Sequence, residues 1–240
     1  RRPPRSTLFP STTLFRSQNI LAIGKWNGLE SLVRNLGYII GVVAVVNFVG
    51  ANEPEAIGGY NTAMWVMWGI TLIPVMSWTE ATQIAIGNAY GKQDMGTMKD
   101  IQKVSTAFLF CYMMCWLIIG NFYWMGISRW LNQGVSDEVA QYSTTTFYYL
   151  IGPYIIYAVG SGLKTIFIGT GRPLYVLIPS AIVNLCIYIP FGLAVKYGLI
   201  QITYVQFLIV TIFVFAGDFL MTVAFLIKKG YTNLDFNAFE

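Results

Sequence analysis

Six runs of apolar residues, each long enough to cross a bilayer and separated only by short polar loops, dictate what this chain can become. They cover residues 26–50, 60–90, 104–124, 139–168, 174–195 and 204–227. A span needs about 20 mostly apolar residues, and a helix satisfies its own backbone hydrogen bonds inside lipid. The alternating segments of about ten residues that build a membrane β-barrel are absent. Of the 240 residues, 55% are hydrophobic and 11% charged, with a mean hydropathy of +0.57. A soluble domain carries roughly 25% charged residues. The chain therefore reads as an all-α polytopic membrane protein, a six-transmembrane-helix bundle over residues 18–230 followed by a short tail, 231–240.

The placement of lysine and arginine orients the bundle. Six spans put both termini on one side, together with Lys25, Lys92, Lys99, Lys103, Lys164, Arg172, Lys228 and Lys229. The other side has only Arg129 and Lys196. That asymmetry places both termini in the cytoplasm and Glu53, Glu55, Asp137 and Glu138 outside. Trp124 and Trp130 then fall near the outer interface, where amphipathic rings gather.

The opening stretch RRPPRSTLFPSTTLFRS, residues 1–17, fits neither a signal peptide nor an amphipathic anchor, for it lacks an apolar core and an apolar face. It resembles a sequencing adapter translated as protein, and is expected to be non-native and disordered. Its four arginines, Arg1, Arg2, Arg5 and Arg16, equal the whole formal charge of +4. Without them no basic excess remains to attract nucleic acid. Cysteine and histidine narrow the chemistry further. Cys111, Cys115 and Cys186 lie in apolar runs and read as small buried hydrophobes. No histidine is present, which removes histidine-containing zinc sites and histidine proton relays. No Ser/Lys or metal-ligand constellation suggests an enzyme.

Ionisable groups inside a membrane are costly and mark functional positions. Glu30 and Arg34 are four residues apart in GLESLVRNLGY and share a helical face. They form either part of a cation or substrate site or a neutralised pair near the interface. Glu80 follows Pro74 in IPVMSWTEATQ, where a proline bend frees backbone groups. Asp218, deep in FAGDFL, has no basic neighbour in sequence and needs a partner from another helix or from water. Asn184, in VNLCIYIP, reads mainly as an interhelical hydrogen-bonding group. Tyr148, Tyr149, Tyr154 and Tyr157 offer aromatic surface to an organic cation, or serve packing and anchoring.

Two stretches carry a family resemblance. IGNAYGKQDMGTMKD, with Pro74 about a dozen residues upstream, resembles the glycine turn and short charged helix that follow the second helix of each half in multidrug and toxin extrusion (MATE) transporters. SGLKTIFIGTGRPLYVLIPSAIVNLCIYIP resembles the segment joining that family's fourth and fifth helices. It departs from the family's Arg-Gly-x-Gly-Asp-Thr at residues 167–172, which read FIGTGR. The resemblance implies one six-helix half of a twelve-helix exporter in the bacterial inner membrane, moving organic cations or other toxic molecules against sodium ions or protons. Because a glutamate stands at the place of Glu30 in the first helix of many C-terminal halves, it implies the C-terminal half, with Glu30 as the ion- or substrate-linked carboxylate. The implied partners are a small-molecule substrate, membrane lipid and the missing N-terminal half, with no cofactor beyond the coupling ion. The family's acidic position in the fourth helix has no counterpart in 139–168. Two alternatives remain: a flippase for lipid-linked oligosaccharides, against which a lone intramembrane Arg34 argues, and a structural helix bundle without transport.

Overall fold

The computed structural model describes residues 11–51 and 53–230, and they form six long helices joined by short turns. Helix α1 runs through Ser11–Gly37, a π turn at Tyr38–Val43 and Ala44–Gly50. Helix α2 joins Pro54–Val66, a π turn at Met67–Leu72 and Ile73–Gly91. Helices α3 and α4 are unbroken, at Met95–Leu131 and Asp137–Gly169. Helix α5 joins Leu174–Val183, a π turn at Asn184–Tyr188 and Ile189–Lys196, and α6 joins Tyr204–Phe225 to a last π turn, Leu226–Gly230. Among the described residues there is no strand.

Each start has a local cause. Pro54 opens α2, where its missing N–H is no loss. The Asp94 carboxylate accepts from the Thr97 N–H at 3.0 Å and caps α3. Ser136 caps α4 ahead of Asp137 and Glu138, whose charges favour the positive end of the helix. Thr203 and Gln206 form a capping box at α6. Because Asp94 starts α3 so early, Lys99 and Lys103 ride on helix, and the loop between α2 and α3 shrinks to Lys92–Asp94.

Five helices are long and apolar enough to cross a membrane: Gly24–Gly50 within α1, then Met95–Leu131, Asp137–Gly169, Leu174–Lys196 and Tyr204–Lys229. The protein is an integral membrane helix bundle. The second of the six expected spans, α2, is continuous from Pro54 to Gly91 but less apolar. It carries Thr62, Thr71, Thr79, Thr82, Glu80 and Gln83, and four of these, the threonines, are buried against neighbours.

Two π turns end two residues before a proline, at Leu72 ahead of Pro74 and at Tyr188 ahead of Pro190. A proline ring collides with the carbonyl four residues back, and the wider turn moves that carbonyl aside. The third, in α1, lies against the π turn of α5. There α1 and α5 approach until backbone meets side chain and backbone. A Cβ on Gly37 would stand 1.9 Å from Asn184 Oδ1, and one on Gly192 would stand 2.2 Å from the Ile40 carbonyl oxygen. Small residues at such seams let helices gain the close packing that drives association in lipid.

Helix α4 is the hub, packing against α2, α3, α5 and α6. Its Phe147 stacks on Trp124 of α3 with centroids 4.3 Å apart, and the Trp124 indole N–H donates to the Ser143 carbonyl and hydroxyl, both at 3.1 Å. Trp124 is thus a buried core residue rather than a belt residue, because α4 supplies both a ring and an acceptor for it. Trp130 is exposed. The three cysteines are corrected too: all face outward, since the faces of α3 and α5 that carry them turn away from the bundle. Residues 11–17, expected to be disordered, are helical, as α1 continues backward through them at one hydrogen bond per residue fixed. Residues 1–10 and the tail 231–240 lie outside the described residues.

Candidate functional site

A cavity of about 590 Å³ opens among the helices, and Glu30, Arg34, Glu80, Asn184 and Asp218 all line it. Four helices deliver them. Glu30 and Arg34 come from the early part of the first span, Glu80 from the stretch of α2 beyond Pro74, Asn184 from the π turn of α5 and Asp218 from the middle of α6. The widened turns contribute directly, because Tyr38, Trp68, Asn184 and Tyr188 all sit in π segments and all border the cavity. Such bulges recur at functional sites.

Arg34 Nε lies 3.5 Å from Glu30 Oε1, a loose pair one helical turn apart. Asp218 finds the interhelical partner its isolation demanded. Lys164 of α4 donates from Nζ to Asp218 Oδ2 at 2.6 Å, with both side chains largely shielded. Lys164 is the residue whose place changes most. Counted as a cytoplasmic loop charge in the sequence, it sits within α4 and lines the cavity. The available signal was its position inside the apolar run 139–168. Its presence also means that Arg34 is not the lone intramembrane cation. Glu80 is exposed to the cavity and makes no ion pair among the described residues.

Asn184 departs from expectation. Its amide donates to the Ser180 carbonyl one turn back, at 2.7 Å, rather than across to another helix. Its other face is pressed on Gly37, which leaves no room for a polar partner from α1. Of the tyrosine group, Tyr154 and Tyr157 line the cavity, and Tyr148 is exposed. They form an aromatic wall with Trp68 and Phe215, which no sequence pattern singled out. The Trp68 indole N–H donates to the Tyr154 hydroxyl at 3.0 Å, and Tyr157 meets Phe215 edge-on at 5.7 Å.

Electrostatically the cavity holds three carboxylates against two fixed cations. It can therefore accept one further positive charge and offer it ring faces, an arrangement suited to a cation with apolar bulk. Among the described residues no group of three or more metal-ligating side chains gathers.

Comparison with known proteins agrees with this architecture. The MatE family model matches residues 29–197, which takes in Glu30, Arg34, Glu80, Lys164 and Asn184 and leaves Asp218 outside. The chain is also similar to the probable multidrug resistance protein YoeA of Bacillus subtilis (strain 168), at 23% identity over 164 residues. That alignment covers 66% of this chain and 34% of the relative, so the chain spans about a third of the relative's length. No solved structure matches.

Proposed function

The chain belongs to the MatE family, and on that premise we propose that it is the C-terminal six-helix half of a secondary exporter that moves organic cations outward in exchange for sodium ions or protons. The observation that carries this reading is the cavity, with its surplus carboxylate beside the wall of Trp68, Tyr154, Tyr157 and Phe215. A transporter needs such a site to bind cargo and coupling ion with different strength in its inward- and outward-facing states. Glu30 and Glu80 take the leading roles on this reading, Glu30 because the family resemblance points to it and Glu80 because it has no ion-pair partner among the described residues.

The basic side of the bundle is cytoplasmic on this reading. Glu80 and Lys164 lie in the halves of their helices that lead to that side and Asp218 at the middle of its own, so this charged part of the cavity lies toward the cytoplasm. The membrane is the bacterial inner membrane, and the natural partner is a second six-helix unit that completes the pathway. A flippase for anionic lipid-linked sugars gains a second cation in Lys164, but both cations are already paired with carboxylates and the cavity's surplus charge is negative.

The test is efflux of ethidium from cells carrying the intact transporter. Glu30→Gln should abolish it, and undiminished efflux would remove Glu30 from the mechanism. Proteoliposomes given either a sodium gradient or a pH gradient identify the coupling ion.

A further inference from the structure

Lys164 and Asp218 come from different helices, meet at 2.6 Å and both border the cavity. Only one carboxylate oxygen is engaged. Asp218 Oδ1 is buried and has no hydrogen-bond partner among the described residues, although a carboxylate has room for about four. Asp218 is thus half-satisfied in a place where an unpaired charge is costly. The residue that holds it is a lysine, a compact ammonium on a flexible stem that can withdraw without a backbone movement. The Glu30–Arg34 pair also borders the cavity, but it lies within one helix, is longer at 3.5 Å, and uses the stiffer, forked guanidinium.

We propose that Lys164 is a resident stand-in for the transported cation, occupying the Asp218 carboxylate while the cavity is empty and being displaced when an organic cation binds. The inference rests on the cation-transport reading above and names the carboxylate at which competition occurs. It also gives that competition a mechanical result. The pair ties α4 to α6, so an arriving cation unties two walls of the cavity at the moment it neutralises Asp218. Between cargoes the lysine keeps Asp218 compensated, which spares the empty protein a buried bare carboxylate.

A built-in competitor lowers apparent affinity by the fraction of time the site is free. If the pair is closed nine-tenths of the time, removing the ammonium tightens binding about tenfold. The experiment measures binding of tetraphenylphosphonium, a permanent cation with no exchangeable proton, to the full chain in nanodiscs. Lys164→Gln should tighten binding about tenfold and Asp218→Asn should weaken it at least tenfold. In the Asp218→Asn background, Lys164→Gln should change binding by less than about twofold. A general loss of positive field would act in both backgrounds, so an additive double-mutant cycle overturns the proposal.

Two further arms guard against a variant that does not fold. The exchanged pair, Lys164→Asp with Asp218→Lys, still presents a carboxylate guarded by an ammonium and should bind within about threefold of the unaltered chain; a folded exchange variant that does not bind overturns the proposal. In the unaltered chain, the 15N resonance of the Lys164 ammonium should move toward that of a solvated lysine at saturation, and a static resonance overturns it. If the unaltered chain fails to bind the probe, the cation-transport reading falls and takes this inference with it. If it binds and the cycle is additive, only the inference falls.

Discussion

The seam between α1 and α5 offers the sharpest test of how this bundle is held, through Gly192→Ala. A methyl there would lie 2.2 Å from the Ile40 carbonyl oxygen and 2.8 Å from Gly41 Cα. A carbon and an oxygen in ordinary contact stand about a full ångström further apart, and attractive carbon contacts begin near 3.5 Å. Both obstructing groups are backbone, so no rotamer change relieves the clash and the helices must separate along the Gly37–Gly41–Gly192 line. Overpacking of a tight core costs about 1–3 kcal/mol, and the absence of a yielding side chain puts this case at the upper end. Gly126→Ala in α3 is the matched control, because nothing lies within 4 Å of its added methyl. Relief of glycine's backbone entropy should stabilise that variant by about 0.5–1 kcal/mol. The two substitutions are chemically identical and should differ by about 2–4 kcal/mol in opposite directions. Thermal unfolding in dodecyl maltoside, followed by tryptophan fluorescence, reads the difference. A Gly192→Ala protein as stable as Gly126→Ala would refute the close seam, in which Gly37 lies against Asn184 and Gly41 against Tyr188.

Other outcomes follow from smaller features. Trp124→Phe keeps the ring stack but leaves the Ser143 carbonyl and hydroxyl without their indole donor; chemical unfolding should show a loss of about 1–3 kcal/mol, and an unchanged midpoint would contradict the buried network. Cys111, Cys115 and Cys186 face outward within apolar spans, where lipid suppresses the reactive thiolate, so a charged, impermeant maleimide should label none of them in membranes and all three once the protein is unfolded in detergent. The hydrogen bonds from the Thr97 hydroxyl and then the Thr97 N–H hold the Asp94 carboxyl below its usual value. A lowered folded pKa means the cap is fully present above the ordinary aspartate range and is lost as pH falls through the lower folded value. Protection of the Thr97 amide against exchange should fall over that acid window, and Asp94→Asn should flatten the dependence.

Much of the fold is legible in the chain because lipid allows so few solutions. Apolar runs of span length with short connections leave helices and antiparallel neighbours as the outcome. Glu30, Arg34, Glu80 and Asp218 stand out for the converse reason, as each is a conspicuous expense in an apolar run, and all four border one cavity. Lys164 is no less conspicuous by that rule. It escapes because a lysine near a span's end also counts toward the positive-inside tally, and hydropathy cannot separate an ammonium that reaches the interface from one that turns inward to Asp218. Trp124 was misplaced for a similar reason. Its distance from the helix end suits an interface, but the acceptor at Ser143 and the ring of Phe147 belong to another helix. Asn184 shows the limit most plainly, since the space its side chain lacks is set by Gly37, far away in sequence. The disorder expected for residues 11–17 rested on their likeness to a translated adapter, whereas α1 extends through them.

The π turns carry a consequence of their own. Each replaces an i→i+4 bond by one reaching a residue further, so it holds one amino acid more than a regular helix of the same rise. Since one residue is about 100° of rotation, the residue numbers beyond the bulge are offset by that angle from the helical wheel that fits those before it. Helix α2 therefore has two phases, one for Pro54–Val66 and another for Ile73–Gly91, and no single helical wheel describes both. Loss of one residue anywhere in Met67–Leu72 would let the helix close into regular α geometry at the same rise, at the cost of bringing a carbonyl back against the Pro74 ring. Because the residue lost is the one the bulge absorbs, Glu80 would keep its place at the cavity and Tyr60 and Met64 theirs in the core. A one-residue deletion there therefore affects folding far more than binding, whereas the same deletion in the regular turn between Val75 and Thr79 would swing Glu80 about 100° from the cavity.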